Sequence, residues 1–332
     1  MKTIWLVIPC YNEEDVIVET GHQLKIIMKK LISENKISTE SKIAFVNDGS
    51  KDNTWDLIQK LNDTDSLFVG INLSRNRGHQ NALLAGLMTA KEYCDAAISL
   101  DADLQDDVNV IDKFIDNYNR GYDIVYGVRS ARKTDTFFKR TTAEMFYKFM
   151  KILGVDMVYN HADYRLMSKR AIEGLAEFTE VNLFLRGIVP LIGFKSGTVE
   201  YERHERFAGE SKYPIKKMLS FATEGITSFS IRPIRCVTNL GVGIFGVSIL
   251  MLIYFLVRYF TGNTVSGWAS LAVSTWALGG IQLLGIGIVG EYIGKIYMES
   301  KHRPKYIIEK ILISEQEKVK KHIDNNSEEI SD

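Results

Sequence analysis

Short apolar runs punctuate the first two-thirds of the chain, and each ends in a polar cluster. Ile4 to Ile8, Ile43 to Val46, Leu67 to Leu73, Ala96 to Leu100 and Asp123 to Gly127 read as strands. Helices fill the stretches between them, so the pattern predicts an α/β layout up to about Tyr201. The polar clusters are Pro9-Cys10-Tyr11-Asn12-Glu13-Glu14, Asn47-Asp48-Gly49-Ser50-Lys51-Asp52, Ser74-Arg75-Asn76-Arg77-Gly78-His79 and Asp101-Ala102-Asp103-Leu104-Gln105-Asp106. Asn12 is expected to cap a helix running to about Ile32, and Asp52 to cap the next one.

The pattern changes after residue 201. Pro214 to Ile231 carries Ile215, Met218, Leu219, Ala222 and Ile226 at helical spacing, with Lys216 and Lys217 off that face. That suits a helix lying on a bilayer surface, and an ordinary core-facing helix gives the same pattern. Cys236 to Val257 and Thr264 to Gly290 are free of charge. Each is long enough to cross about 30 Å of hydrocarbon, which predicts a two-helix transmembrane hairpin with its link at Arg258 to Asn263. Basic flanks at Arg232, Arg235, Lys295, Lys301, His302, Arg303 and Lys305 place the N-terminal domain in the cytoplasm. The expectation is a multi-pass protein of the cell membrane. Small residues at Gly279, Gly280, Gly285, Gly287 and Gly290 permit close helix packing and make a homo-oligomer plausible. The tail after about Lys310 reads as charged and loosely ordered.

Composition adds little beyond exclusions. The chain has 332 residues and a formal net charge of zero, so there is no general argument for nucleic acid. Cys10, Cys94 and Cys236 are far apart and fit no metal spacing. Met1-Lys2 runs straight into an apolar strand, a start unlike a secretory signal peptide.

The candidate chemistry sits in the polar clusters. Asp101 and Asp103 follow a strand at i and i+2, so in an extended chain both point the same way, and Gln105 continues that face. Hard oxygen donors of this kind suit Mg²⁺ or Mn²⁺ carrying a diphosphate, while an Asp-rich turn is the plainer reading. Tyr11 and Glu13 stand at the carboxyl edge of the first strand, where open α/β sheets bind ligands. Asp48 is placed to accept from a nucleoside or to hold its own turn. Arg75 and Arg77 open a helix, a suitable place for an anion, and His79 reads as a helix-start hydrogen-bonding residue.

With these motifs in order and spacing, the chain resembles the family-2 inverting glycosyltransferases of GT-A fold, and within them the polyprenyl-phosphate glycosyltransferases. Arg206 to Tyr213 and the C-terminal helical pair extend the likeness. The resemblance implies that Pro9, Tyr11 and Glu13 border the nucleotide, with Val46 and Asp48 around base and ribose. It places Asp101, Ala102 and Asp103 along the diphosphate and the metal on Asp103 and Gln105, with Asp101 beside it. Arg129 and the Arg206 to Lys212 loop would meet phosphate groups. Asn47 departs from the pattern, since many relatives carry Asp there.

The expected reaction moves a sugar from a UDP-sugar, glucose or an N-acetylhexosamine, to a polyprenyl phosphate such as undecaprenyl phosphate. Arg129, Arg132, Arg203, Arg206, Ser211 and Lys212 form the acceptor side, and Asp163 is the spare carboxylate that orients its arginines or acts as base. The expected layout is a GT-A catalytic domain at 1–205, a basic loop with interfacial helices at 206–232, the hairpin at 233–300 and a charged tail at 301–332. A processive polysaccharide synthase is the alternative, disfavoured by the absence of a Gln-x-x-Arg-Trp motif. A catalytically inactive, membrane-anchored nucleotide-sugar sensor is the other, disfavoured by intact Asp101, Asp103 and Gln105.

Overall fold

The computed structural model describes residues 1–130, 161–181, 183–202, 232–261 and 267–313. It divides into two compact units, one of residues 1–142, 157–212 and 304–332, the other of residues 143–156 and 213–303.

The first unit is built on an eight-stranded mixed sheet. Its strands are β1 (Ile4–Cys10), β2 (Lys42–Asn47), β3 (Phe68–Leu73), β4 (Ala96–Ser99), β5 (Ile124–Arg129), β6 (His161–Ser168), β7 (Ser196–Tyr201) and β8 (Ile308–Leu312). They lie in the order β7-β5-β6-β4-β1-β2-β3-β8. β4, β1, β2 and β3 are parallel neighbours, so their carboxyl ends open on one edge. β6 runs antiparallel between β4 and β5, and β8 runs antiparallel along β3.

Alternation along β1 decides the layers. Ile4, Leu6 and Ile8 point to the face covered by α1 (Ile17–Ser33) and α4 (Ile111–Asn119), where they join Ile17, Leu24, Met28, Ile111, Phe114 and Ile115 in one core. Full burial of such a side chain contributes about 1.5–3 kcal/mol. Val7 points the other way, under α3 (His79–Ala90). A Cβ on Gly86 would stand 2.4 Å from Val7 Cγ1 and 2.7 Å from Val46 Cγ2, so glycine lets α3 approach closely and sets its N-terminus near the strand ends. α2 (Thr54–Thr64) follows β2. α5 (Lys169–Ala176) and α6 (Leu185–Leu191) lie between β6 and β7.

Three features differ from the sequence reading. β6, β7 and β8 are strands that no continuous apolar run announces. The first helix starts at Ile17, and its N-cap position, Val16, has no side-chain cap. Asn12 instead sits at φ 53 and serves the strand-end loops.

The second unit contributes two described helices, α7 (Arg232–Phe260) and α8 (Trp268–Ser300). A Cβ on Gly285 would lie 3.2 Å from Val237 Cγ1, so the two helices pack closely there. Among the described residues, no helix is long and apolar enough to cross a membrane. This contradicts the expected multi-pass location in the cell membrane with a cytoplasmic domain, and that assignment is withdrawn. The described positions of the pair mix Leu, Ile and Val with Asn239, Gly241, Gly243, Gly246, Gln282 and Gly287, and charge re-enters α8 at Glu291, Lys295 and Glu299. The interfacial stretch 206–231 lies outside the described residues, as do Arg132, Arg203, Arg206, Ser211 and Lys212.

Candidate functional site

The loops after β1, β2 and β3 are tied into one platform. Asn12 N–H donates to Ser50 Oγ at 3.0 Å, and Lys51 N–H donates back to Asn12 Oδ1 at 2.9 Å. Glu13 N–H donates to Thr54 Oγ1 at 2.9 Å. The positive φ of Asn12 turns Tyr11 and Glu13 over the strand ends, a conformation Asn tolerates better than most residues. Pro9 pairs in register with Val46, beyond the end of β4, so its missing N–H costs the sheet nothing.

Asp48 works as a clamp between loops. Its Oδ1 accepts from Arg77 N–H at 2.7 Å and its Oδ2 from Gly78 N–H at 2.9 Å. Burial pushes the carboxyl above its usual range, and those two N–H bonds oppose the shift. Asp48 thus ties the loop after β2 to the loop after β3. Gly49 completes the clamp at φ +63, where a Cβ would stand 2.5 Å from Asn76 N.

The acid stretch is a turn, not an extended continuation of β4. Leu104 adopts φ 54. Gln105 N–H donates to Asp103 Oδ1 at 3.2 Å, so Asp103 and Gln105 are brought together by local folding and not by strand alternation. Thr20 Oγ1, from α1, lies 2.6 Å from Ala102 O and anchors the turn. Burial raises the Asp101 carboxyl above its ordinary value, and the charges of Asp163 and Asp103 add to the rise against His79 and Arg129. Burial and the carboxylates of Glu13, Asp101 and Asp52 likewise push the Cys10 thiol well up, so it stays un-ionised.

Beside this acidic ground stands a basic cluster. Asp163 binds Arg165 Nη2 at 2.6 Å through Oδ1 and Arg186 Nη2 at 3.1 Å through Oδ2. Arg186 Nε completes a two-point contact at 3.3 Å. Burial disfavours the Asp163 charge, but Arg186, Arg165 and His79 outweigh it and hold the carboxyl far below its usual range. His79 Nε2 lies 3.6 Å from Asp101 Oδ1 and 3.9 Å from Asp163 Oδ2, between the two carboxylates. The next residue, Gln80, accepts from Leu185 N–H at 2.8 Å, which fixes the start of α6 and with it Arg186.

Arg129, expected on phosphate, is held by Asp106 and Tyr201. Its Nη2 lies 3.6 Å from Asp106 Oδ1 and its Nε donates to Tyr201 Oη at 3.3 Å, while Tyr201 donates to Asp106 at 2.7 Å. Asp163 therefore orients Arg165 and Arg186, and not Arg129. Arg165 and Arg186 were missed in the sequence because nothing local marks them. Asp106, three residues past Asp103, owes its role to Tyr201 and Arg129, which are distant in sequence.

Whether a divalent ion fits can be judged from the donors. Asp101, Asp103 and Gln105 offer hard oxygens, and Asp101 is raised chiefly by burial, a desolvation cost that a bound cation would offset. Among the described residues, no group of three or more His, Cys, Asp or Glu side chains is arranged to hold a metal by itself. The donor set fits Mg²⁺ or Mn²⁺ when substrate phosphates and water complete the shell, the usual habit of Mg²⁺.

Residues 5–175 match the family described as "Glycosyl transferase family 2". The chain is 57% identical over 311 residues to the uncharacterized glycosyltransferase YkoT of Bacillus subtilis, covering 94% of this chain and 92% of that one. It is 44% identical over 308 residues to the bactoprenol glucosyl transferase of Shigella phage SfV, covering 92% and 97%. Among solved structures, mannosyl-3-phosphoglycerate synthase from Rubrobacter xylanophilus is similar at TM-score 0.44 and 14% identity, covering 67% of this chain and 71% of that one.

Proposed function

This chain belongs to glycosyl transferase family 2, with an α/β fold of GT-A-like kind, and on that premise we propose that it transfers one hexose, glucose or an N-acetylhexosamine, from a UDP-sugar to polyprenyl phosphate. The full-length likeness to a bactoprenol glucosyl transferase supports the acceptor. The observation that carries the reading is the meeting, at one sheet edge, of the Asp101–Asp103 turn, bridged to Asp163 by His79, with an arginine aimed by Asp163.

Pro9, Tyr11, Glu13, Val46 and Ala102 border the nucleotide, and Asp48 acts there by clamping the loop of Arg77 and Gly78. Asp103 and Gln105, with Asp101, would hold Mg²⁺ or Mn²⁺, which when bound neutralises charge on the diphosphate. Arg186, with a side chain 42% exposed, receives the acceptor phosphate, joined by Arg203, Arg206, Ser211 and Lys212.

A phosphate monoester has its second pKa near about 6 and is mostly dianionic at neutral pH. Its oxygen attacks the anomeric carbon with inversion, and the bond to UDP breaks as UDP leaves with the electron pair. No proton has to be removed, so the acceptor needs positioning more than a base. Asp163 suits that division of work. Held far below its usual range by Arg186 and Arg165, it is a poor proton acceptor and a good anchor.

The test is UDP release from a panel of UDP-sugars, measured with and without polyprenyl phosphate. Release that requires the lipid phosphate and one sugar supports the reading. Release unaffected by the lipid, or none with any donor, overturns it.

A further inference from the structure

Asn47 is one link of a side-chain relay that ends on the C-terminal edge strand. It is 2% exposed at the end of β2. Its Oδ1 accepts from Ser50 N–H at 3.3 Å, which closes the Asn47–Ser50 turn. Its Nδ2 donates to Asn72 Oδ1 at 2.7 Å, on β3. Asn72 Nδ2 in turn donates to Glu309 Oε2 at 2.8 Å, on β8. Asn47 and Asn72 are register partners. Asn72 then faces Lys310 and Leu73 faces Ile308, so the register skips Glu309. Glu309 is the extra residue of a bulge, the device by which sheets re-aim one side chain.

The two ends of this relay fix its direction. An ionised carboxylate only accepts, so Glu309 makes Asn72 present its amide nitrogen. Asn72 must then offer its oxygen to residue 47. At the far end Ser50 offers only an N–H. Residue 47 must therefore donate on one side and accept on the other, which an amide does and a carboxylate does not. With Asp at 47, Asn72 would have to turn round, and its oxygen would meet the Glu309 carboxylate.

We infer that Glu309 is a positioning residue for the nucleotide side of the site, setting the hydrogen-bond direction that holds the Asn47–Ser50 turn and demanding a neutral amide at 47. The turn matters because Ser50 Oγ accepts from Asn12 N–H, which carries the Tyr11–Glu13 loop. This rests on the reading of this edge as the nucleotide-sugar site.

The experiment is a double-mutant cycle in the full chain with Asn47→Asp and Glu309→Gln. The readouts are UDP affinity by calorimetry, KM and kcat for the UDP-sugar, and Tm. Asn47→Asp raises the UDP Kd and the donor KM about tenfold, the scale of one lost hydrogen bond, with kcat changed much less. Adding Glu309→Gln lets residue 309 donate to the reversed Asn72 and returns Kd to within about threefold of the parent. A penalty from Asn47→Asp that is the same with Glu or Gln at 309, or no penalty at all, overturns the inference. If the parent protein binds no UDP, the nucleotide reading falls by itself. The relay is then judged on Tm, where Asn47→Asp lowers it and Glu309→Gln restores it; failure to restore overturns the relay too.

Discussion

Asp163 and Asp101 stand on the same edge and are shifted in opposite directions, so they respond differently to acid. Asp163 is held below its usual range by Arg186 and Arg165. Its contribution to stability is complete above its unfolded pKa of about 3.9 and is lost as pH falls through the depressed folded value. Asp163→Asn breaks a pair whose partner Arg165 is 1% exposed, which costs about 3–5 kcal/mol. The Tm gap between parent and Asp163→Asn is then flat from about pH 5 upward and narrows below about pH 4. A parent pH-rate profile with an ionisation near neutrality that Asp163→Asn removes would make Asp163 a base instead. Asp103→Asn keeps shape and removes charge, and its transfer rate falls on the order of 10²-fold, the effect of losing one strong electrostatic stabiliser. Unchanged rates, or full activity in excess EDTA, would contradict the role given to this turn. Arg186→Ala raises the KM for polyprenyl phosphate while UDP affinity stays; loss of UDP affinity instead would move Arg186 to the donor side.

At the scale of elements, the platform depends on loops that pack at glycines. Gly49 and Gly121 both have positive φ, +63 and +83, yet only a Cβ on Gly49 would meet backbone, at 2.5 Å from Asn76 N. Gly121→Ala is expected to cost about 1–2 kcal/mol, the left-handed penalty alone. Gly49→Ala costs more in denaturant unfolding and also raises the donor KM, because the loop of Asp48 must move. Equal costs would show that the loops give way freely. β1 to β5 were readable because each is a continuous apolar run, and the Asp101–Asp103 pair because it is local. β6 was not, since its middle carries Asp163 and the buried Arg165, which pair with each other while His79 of α3 and Arg186 of α6 complete the surroundings of Asp163. β8 was not, since Ile308–Leu312 alternates with Glu309 and Lys310 inside a charged tail and pairs with a strand more than two hundred residues earlier. Asn12 looked like a helix cap because capping and loop-tying use the same short polar side chain.

At the scale of the whole molecule, family membership and the strand-edge site agree on a glycosyltransferase. The membrane-crossing expectation does not survive, since no described helix is long and apolar enough. Transfer of a single sugar to a lipid phosphate is read off by mass spectrometry of the extracted lipid product. Incubated with UDP-sugars, Mg²⁺ or Mn²⁺ and polyprenyl phosphate, the protein should yield the lipid phosphate heavier by one hexose or one N-acetylhexosamine, and Asp103→Asn should yield almost none. An unmodified lipid beside free sugar, or a ladder of several added sugars, would contradict it.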